Sequence, residues 1–338
     1  MFNKLVARLS ILIPDFGQRL AVDSKAIQSY GKPVKEEDKK GQPDRRRETD
    51  ANFGVKTYKG QREDGTKWEK IVKWFGFKLH LVVDSRYEMP VGYKLTKASE
   101  NDSTKLPELM QELAEKQPEL VERAEEMAGD RGYDSAKNNE VLYDDYGINP
   151  IIDSRRMWKK PEGDDQTKLL YPERAEPIVY DEKGQLYCVC PSTGERREMA
   201  YCGFEKERGT QKWRCPASTF GFECQGRASC EANTQAGEYG RVVRVALEQD
   251  RRIFTPVSRV TEKWKKAYAR RTAVERVNAR IDRILQFEVH TIRGQAKMQM
   301  RVSLALCIML AMAVGRCEAN QKALMRSLLA PAPAKKVA

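Results

Sequence analysis

The hydrophobic and polar positions in the first half of the chain switch between strand and helix periods. Residues 74–83 and 90–96 are rich in β-branched and aromatic side chains and flank a polar break. This composition is typical of two paired antiparallel strands. Residues 103–113 instead carry apolar side chains at positions 106, 109, 110 and 113. That spacing predicts an amphipathic helix that begins at a serine or threonine.

The same alternation continues on both sides of these segments. The pattern predicts a short strand ending near Gly129, a helix capped by Ser135 that runs to Tyr146, and a strand over 148–152. At the N-terminus, apolar residues at positions 2, 5, 6, 9, 12 and 13 predict an amphipathic helix. Strands alternating with helices in this order favour an α/β fold with a mixed sheet flanked by helices.

Two further helices are predicted near the C-terminal end, from about residue 261 to 286 and from about 295 to 317. Val274, Val277 and Ile281 mark the apolar stripe of the first helix. Arg271 precedes Glu275 by four residues and Tyr268 precedes it by seven, so all three side chains are expected on one face of that helix. The apolar run over 302–314 is shorter than the roughly 20 residues that span a bilayer, so a core helix is expected and a membrane is not.

Residues 154–250 interrupt the α/β pattern with segments rich in Lys, Pro and Gly, and they contain six of the eight cysteines. We interpret them as an inserted, cysteine-containing subdomain that is mainly β or irregular. The predicted organisation is an N-terminal helix over 1–19, the first part of a core over 20–153, the insertion over 154–250, the C-terminal helices of the core over 251–318, and a disordered tail over 319–338.

Charge changes this picture, because 61 Lys and Arg side chains face 49 Asp and Glu, a net charge of +12. Residues 251–301 contain 14 Lys and Arg against 4 acids, which accounts for +10 of that excess. So local an excess favours a polyanionic partner, with nucleic acid as the first candidate. A solvated helix face is the alternative. Since no signal-peptide pattern is present, a cytoplasmic, nucleoid-associated protein is expected.

Three acids that are far apart in sequence stand in contexts suited to metal binding. Asp23 follows an apolar stretch, Asp130 opens the sequence Asp-Arg-Gly-Tyr, and Glu275 flanks the apolar stripe of a basic helix. Carboxylates are the ligands that Mg²⁺ prefers, and two such ions about 4 Å apart assist phosphodiester chemistry. Each acid also has an ordinary explanation. For Asp23 it is a helix cap, and for Asp130 it is a turn after a strand. For Glu275 it is a helical ion pair with Arg271 worth about 0.3 to 0.5 kcal/mol.

With these acids in place, the chain resembles the DDE transposases of bacterial insertion sequences, which have an RNase H-like catalytic core. The segments that carry the resemblance are 21–24, 77–84, 98–103, 128–133 and the spacing Tyr268-x2-Arg271-x3-Glu275. The resemblance implies that Asp23, Asp130 and Glu275 bind Mg²⁺ or Mn²⁺ and catalyse DNA cleavage and strand transfer at the ends of an insertion element.

The resemblance also implies partners. Insertion-element ends and target DNA would be bound, with a homodimer assembled on the DNA. Tyr268 and Arg271 would contact DNA phosphates, and the neighbouring basic side chains of Lys265, Arg270 and Arg276 are predicted to add to that surface.

Two departures from the family pattern bear on activity. The family places a lysine seven residues after the glutamate, whereas this chain has Asp282, with Arg280 and Arg283 beside it. Only 22 residues precede Asp23, where such proteins usually carry a helical DNA-binding domain, so we expect an N-terminally truncated copy. The alternative function is therefore a catalytically impaired remnant that only binds DNA.

The cysteines of the insertion allow two interpretations. Cys190, Cys215, Cys224 and Cys230 are the best candidates for a structural Zn²⁺ site, although no Cys-x2-Cys pair is present. Reduced thiols are the other interpretation, because a cytosolic chain disfavours disulfides. A zinc-stabilised scaffold without a DNA role is the third function considered.

Overall fold

The computed structural model describes residues 1–34, 47–155, 157–158, 166–172, 178–190, 193–221, 223–228 and 240–329. The chain divides into two compact units. Unit 1 comprises Met1–Glu125 with Arg270–Ala338, and unit 2 comprises Glu126–Ala269.

The main strands of unit 1 are antiparallel and centre on one long strand. Strand β5 (Lys67–Asp84) pairs with β1 (Arg19–Gln28), β4 (Asn52–Gln61) and β6 (Met89–Lys97). The predicted antiparallel pair over 74–83 and 90–96 is therefore confirmed. Apolar residues are buried on both faces where β1 and β5 pair, at positions 20–22 of β1 and 81–83 of β5. A short parallel pair, β2 (Lys32–Pro33) with β3 (Arg47–Glu48), completes the described strands of this unit.

The described helices of unit 1 are α1 (Phe2–Leu12), α2 (Asp102–Lys116), α3 (Pro118–Arg123), α7 (Thr272–Leu285) and α8 (Gln295–Glu318). The helix predicted over 103–113 is α2, but its cap is Asn101, whose side chain accepts from the Ser103 N–H. Helix α1 packs along α8, and Arg8 of α1 pairs with Glu318 at the C-terminal end of α8 at 2.6 Å. The apolar stripe of α7 is buried as predicted, at Val274, Val277 and Ile281.

Helix α8 is 24 residues long and is long and apolar enough to cross a membrane by length and composition alone. The expectation that its apolar run is too short for a bilayer is therefore wrong. Buried helices of soluble proteins meet the same criterion. Ten residues of α8 are buried, among them Met298, Leu306 and Leu310. Burial of this face within unit 1 makes α8 a core helix.

Unit 2 begins with a parallel strand pair, β7 (Glu126–Gly129) and β8 (Asn149–Ile152). The connection contains a 3₁₀ turn at Arg131–Tyr133, then α4 (Ala136–Glu140), whose cap Ser135 accepts from the Asn138 N–H as predicted. A π-helical turn follows at Val141–Asp145. Parallel neighbours need such a crossover connection, whereas antiparallel strands can be joined by a tight turn.

Two small antiparallel sheets fill the region between β8 and the last helix of unit 2. The first sheet has the order β12-β11-β10-β9 and the second the order β13-β14-β15. Their bounds are β9 (Lys168–Leu169), β10 (Ile178–Tyr180), β11 (Leu186–Val189), β12 (Arg196–Glu198), β13 (Ala200–Glu205), β14 (Thr210–Arg214) and β15 (Val242–Ala246). Helix α5 (Pro216–Phe220) and helix α6 (Glu262–Ala269) are the remaining described helices. The predicted α/β fold class with a mainly β insertion is confirmed, and the RNase H-like core stays a prediction.

Two expectations about the C-terminal part are corrected. The single helix predicted over 261–286 is two helices, α6 and α7, separated by a turn at Arg270 and Arg271. No Gly or Pro marks that break in the sequence. The tail predicted to be disordered from 319 contains a 3₁₀ turn at Lys322–Leu324 and a buried Met325, while residues 330–338 lie outside the described residues.

Candidate active site

Asp23 lies in the middle of β1, opposite Leu81 of β5. Its side chain is 16% exposed, and Oδ1 accepts a hydrogen bond from the Ser24 N–H at 2.7 Å. Oδ2 lies 3.6 Å from Nη1 of Arg271. A paired strand therefore holds this carboxylate with one oxygen directed towards a cation.

Glu275 lies in the first turn of α7, next to the buried Val274. Its Oε1 is 2.8 Å from the same Nη1 atom of Arg271, and its side chain is 54% exposed. The Arg271 guanidinium therefore lies between two carboxylates that come from different elements of unit 1. Because like-charged carboxylates repel each other, a cation at this point stabilises their approach.

Asp130 belongs to unit 2 and directly follows β7. Its Oδ1 accepts the Gly132 N–H at 2.7 Å, so the carboxylate caps the 3₁₀ turn in which Tyr133 is buried. Arg131, beside it, pairs with Asp153, and this hydrogen bond is the main reason that the pKa of Arg131 is raised. The Asp-Arg-Gly-Tyr sequence thus forms a strand-to-turn junction of defined geometry.

The donor set suits a hard cation, because two carboxylates already converge on one positive group. Across the described part of the chain, no group of three or more His, Cys, Asp or Glu side chains is placed so that it could hold a metal ion. The Mg²⁺ or Mn²⁺ ligands Asp23, Asp130 and Glu275 therefore stay a prediction.

The zinc prediction falls partly outside the described residues, because Cys230 is not among them. Cys190, Cys215 and Cys224 are partly buried thiols. Cys224 and Cys190 both contribute to the raised pKa of Arg197, after the larger effect of its hydrogen bond with Glu195. The structural Zn²⁺ site stays a prediction.

The predicted DNA-contacting side chains have partners within the protein. Lys265 pairs with Glu262 at 2.6 Å, and Tyr268 stacks on Trp264 with ring centroids 4.7 Å apart. Arg271 and Glu275 share a face of α7, as their ion pair shows, whereas Tyr268 precedes the turn at Arg270 and Arg271, and its place on that face stays a prediction.

Arg276 belongs to an arginine cluster that sequence reasoning missed. Its Nε lies 2.7 Å from Oε1 of Glu88, and Arg280 and Arg326 lie 3.1 and 3.3 Å from the same carboxylate. Glu88 is 5% exposed and lies in the turn between β5 and β6. Its φ of 56° is positive, which is unusual for a residue other than Gly.

Asp282, the departure from the family pattern, has a partner on β1. Its Oδ2 lies 2.7 Å from Nζ of Lys25, and Glu288 lies at the same distance from that ammonium group. Lys25 follows Asp23 by two positions and therefore lies on the same side of β1. The positive charge is here on the strand and its acidic partner is on α7.

A second network that sequence reasoning missed lies beside Asp23. The Ser24 hydroxyl donates to Asp102 at 2.9 Å, and Lys78 pairs with the other oxygen of that carboxylate at 2.9 Å. His80 is fully buried next to them and bonds to Thr96 at 3.1 Å. Burial lowers the pKa of His80 to about 4, against a smaller opposing effect of Asp102. The imidazole is therefore neutral near pH 7.

The chain is similar to known transposases. The family model described as "transposase DDE domain" matches residues 14–311. No curated protein sequence matches the chain significantly. Among solved structures, the piggyBac transposase synaptic complex with hairpin DNA matches with a TM-score of 0.41 and 9% identity. The match covers 92% of this chain and 51% of that chain, so this chain spans about half its length. Since the family model covers most of the chain, the protein belongs to the transposase DDE domain family.

Proposed function

We propose that this protein is a divalent-metal-dependent transposase that cleaves DNA at the ends of an insertion element and joins them to target DNA. One observation supports this most: the carboxylates of Asp23 and Glu275 converge on the Arg271 guanidinium, at 3.6 and 2.8 Å. In the proposal, Asp130 supplies the third carboxylate, as the family pattern places it.

The reaction consists of two phosphoryl transfers. In the first, water attacks the scissile phosphorus, a P–O bond to that water forms, the bond to the 3′ oxygen breaks, and that oxygen leaves with a proton. In the second, the freed 3′-OH attacks a target phosphodiester, so one P–O bond forms and one breaks. Divalent ions held by Asp23, Asp130 and Glu275 would activate the attacking oxygen and stabilise the leaving one.

The protein's own residues prepare the site. Strand β1 and the Ser24 N–H fix the orientation of Asp23. The Ser24 hydroxyl, bonded to Asp102, holds the strand from the neighbouring position. Arg271 neutralises two carboxylates, and its guanidinium can pair with a phosphate oxygen instead once cations bind those carboxylates. Its exchange between the acids and DNA would couple substrate binding to metal binding.

An Asp130→Asn variant tests the proposal. The substitution keeps the size of the side chain and removes its charge, so Mg²⁺-dependent cleavage should fall at least about 100-fold, since even outer-shell changes at metal sites cost 10- to 100-fold. The measurement is nicking of supercoiled plasmid, and strand transfer of duplexes carrying the DNA that flanks the coding sequence. Asp145→Asn, on an exposed turn of unit 2, is the matched control and should cleave like wild type.

The alternative is a remnant that binds DNA without cleaving it, and the acidic residue at position 282 favours it. In that case the wild-type protein binds DNA with a steep salt dependence and shows no metal-dependent nicking. Equal nicking by wild type and Asp130→Asn would contradict the proposed role of that carboxylate.

A further inference from the structure

The outer parts of β4 and β5 form a two-stranded ribbon over residues 52–75. Strand β1 pairs with β5 only from Gly76 onward, and β6 only from Phe77 onward. Residues 67–75 of β5 pair with β4, with Gln61 opposite Lys67 at the tip and Phe53 opposite Phe75 at the base. Most side chains on both faces of this ribbon are exposed.

Cross-strand contacts stabilise the ribbon, although no third described strand supports it. The Trp74 ring covers Gly54 and the Trp68 ring covers Gly60 so closely that a Cβ atom there would lie 2.3 and 2.5 Å from the ring. Phe53 and Phe75 add an aromatic pair with centroids 5.1 Å apart. Aromatic side chains over strand glycines are a known way to stabilise exposed strands. We attribute a structural role to both tryptophans.

The charge of the ribbon is unbalanced. Residues 52–75 contain six Lys and Arg (56, 59, 62, 67, 70 and 73) and three acids (63, 64 and 69). The strand register places Lys56 and Lys70 on the same face of the ribbon as Trp68 and Trp74, and that face carries no acidic residue. Lys73 lies on the other face, whose Lys59 pairs with Glu69 at 3.1 Å. Within the described residues, Lys70 and Lys73 have no ion-pair partner.

We propose that this ribbon is a DNA-binding element that lies in a groove of double-stranded DNA and contacts phosphates through Lys56, Lys70 and Lys73. The major groove is about 12 Å wide and admits a two-stranded ribbon. Strands of ten residues extend about 30 Å, close to one turn of duplex. Lysines on both faces can then reach the phosphates on both walls of the groove. This inference rests on the proposed function for its partner, DNA, but assigns a separate site.

A second copy of the chain, added at the open edge of β4, is the competing occupant. The lysines disfavour it, because charged side chains on edge strands oppose strand addition. Single-stranded DNA is less favoured than duplex, since the two tryptophan rings already pack on Gly54 and Gly60.

The test compares two triple variants that lose the same charge. One is Lys56→Gln/Lys70→Gln/Lys73→Gln, and the control is Lys4→Gln/Lys137→Gln/Lys206→Gln, at exposed lysines elsewhere. Binding to a fluorescent duplex is measured against salt concentration. Each lost phosphate contact should lower the slope of log K against log salt by about 0.9, so the ribbon variant should lose about 2 to 3 in slope. Its affinity near 150 mM salt should fall about 10- to 100-fold.

The control variant should keep the wild-type slope, and a Lys→Arg triple at 56, 70 and 73 should keep the affinity. Ribbon and control variants that bind duplex equally would overturn the inference. So would a ribbon variant that changes only the oligomeric state in sedimentation, or that loses affinity for single strands alone. The outcome is separable from catalysis, because Asp130→Asn should lose cleavage and retain the salt slope of wild type.

Discussion

At the scale of single residues, the departure at position 282 has a structural explanation. A lysine at that position would approach Lys25, whose side chain is 11% exposed and whose ammonium group already lies 2.7 Å from Asp282. Asp282 therefore acts as the partner of a strand lysine. The cation beside position 282 is therefore Lys25 of β1.

We predict that Asp282→Lys destabilises the protein instead of restoring a family contact. The variant places two cations together and leaves Lys25 with Glu288 alone. Removing one partner of a buried pair costs 3–5 kcal/mol, and the partial exposure of Asp282 reduces this to about 1–3 kcal/mol. Urea denaturation measures the effect.

The matched control is Asp145→Lys, an exposed position in unit 2 where little change is expected. An Asp282→Lys variant with unchanged stability and increased cleavage would contradict this account. It would indicate that activity lacks the lysine of the family pattern at this position.

At the scale of elements, Glu88 joins the turn between β5 and β6 to helix α7 through Arg276 and Arg280, and to the chain after α8 through Arg326. Desolvation lowers the pKa of Arg280, and Glu88 opposes that effect. One buried carboxylate thus balances three guanidinium groups from two segments.

We predict that Glu88→Gln lowers the free energy of unfolding by about 3 kcal/mol, because the partly buried Arg280 loses its counter-charge. The shift in thermal or urea denaturation is the measurement. Glu63→Gln, on an exposed part of the ribbon, removes the same charge and should have little effect. Equal stability of the two variants would show that Glu88 does not anchor α7.

At the scale of the whole molecule, two buried groups of unit 1 give the stability opposite dependences on pH. Asp84 is fully buried and accepts the Gly17 N–H at 2.7 Å, and burial raises its pKa to about 6. The folded protein holds the proton of Asp84 up to a higher pH than the unfolded chain does. The contribution of Asp84 to the free energy of unfolding is therefore lost as pH rises from about 3.8 to about 6. His80, with a folded pKa of about 4, loses its contribution as pH falls from 6.5 to 4.

We predict that His80→Gln changes the pH profile of unfolding. The effects of His80 and Asp84 nearly cancel between pH 4 and 6 in wild type, at about 3 kcal/mol each. Without the imidazole, only the Asp84 effect remains, so the variant should gain stability relative to wild type as pH falls from 6.5 to 4. Chemical denaturation at several pH values measures this. Parallel profiles for the two proteins would contradict the buried, neutral state of His80.

Much of this architecture could be predicted from the pattern of side chains. Strand and helix periods placed the inner part of β5, β6, α2, β7, β8 and α8 within a few residues of their observed bounds. The stripe of Val274, Val277 and Ile281 also predicted which side of α7 is buried. These features depend on residues a few positions apart, which periodicity and propensity report directly.

The sequence by itself determined the fold class through the order of strand and helix periods, and it determined the family and the candidate carboxylates through the local motifs around Asp23, Asp130 and Glu275. Only the tertiary structure decided that α6 and α7 are separate helices, that Arg271 lies between Asp23 and Glu275, and that Lys25 binds Asp282. The contacts of Arg271 with Asp23 and of Lys25 with Asp282 join residues more than 240 positions apart, and the separation of α6 from α7 depends on a turn that no Gly or Pro marks. Their energy arises from packing and charge between distant segments, which local patterns do not encode.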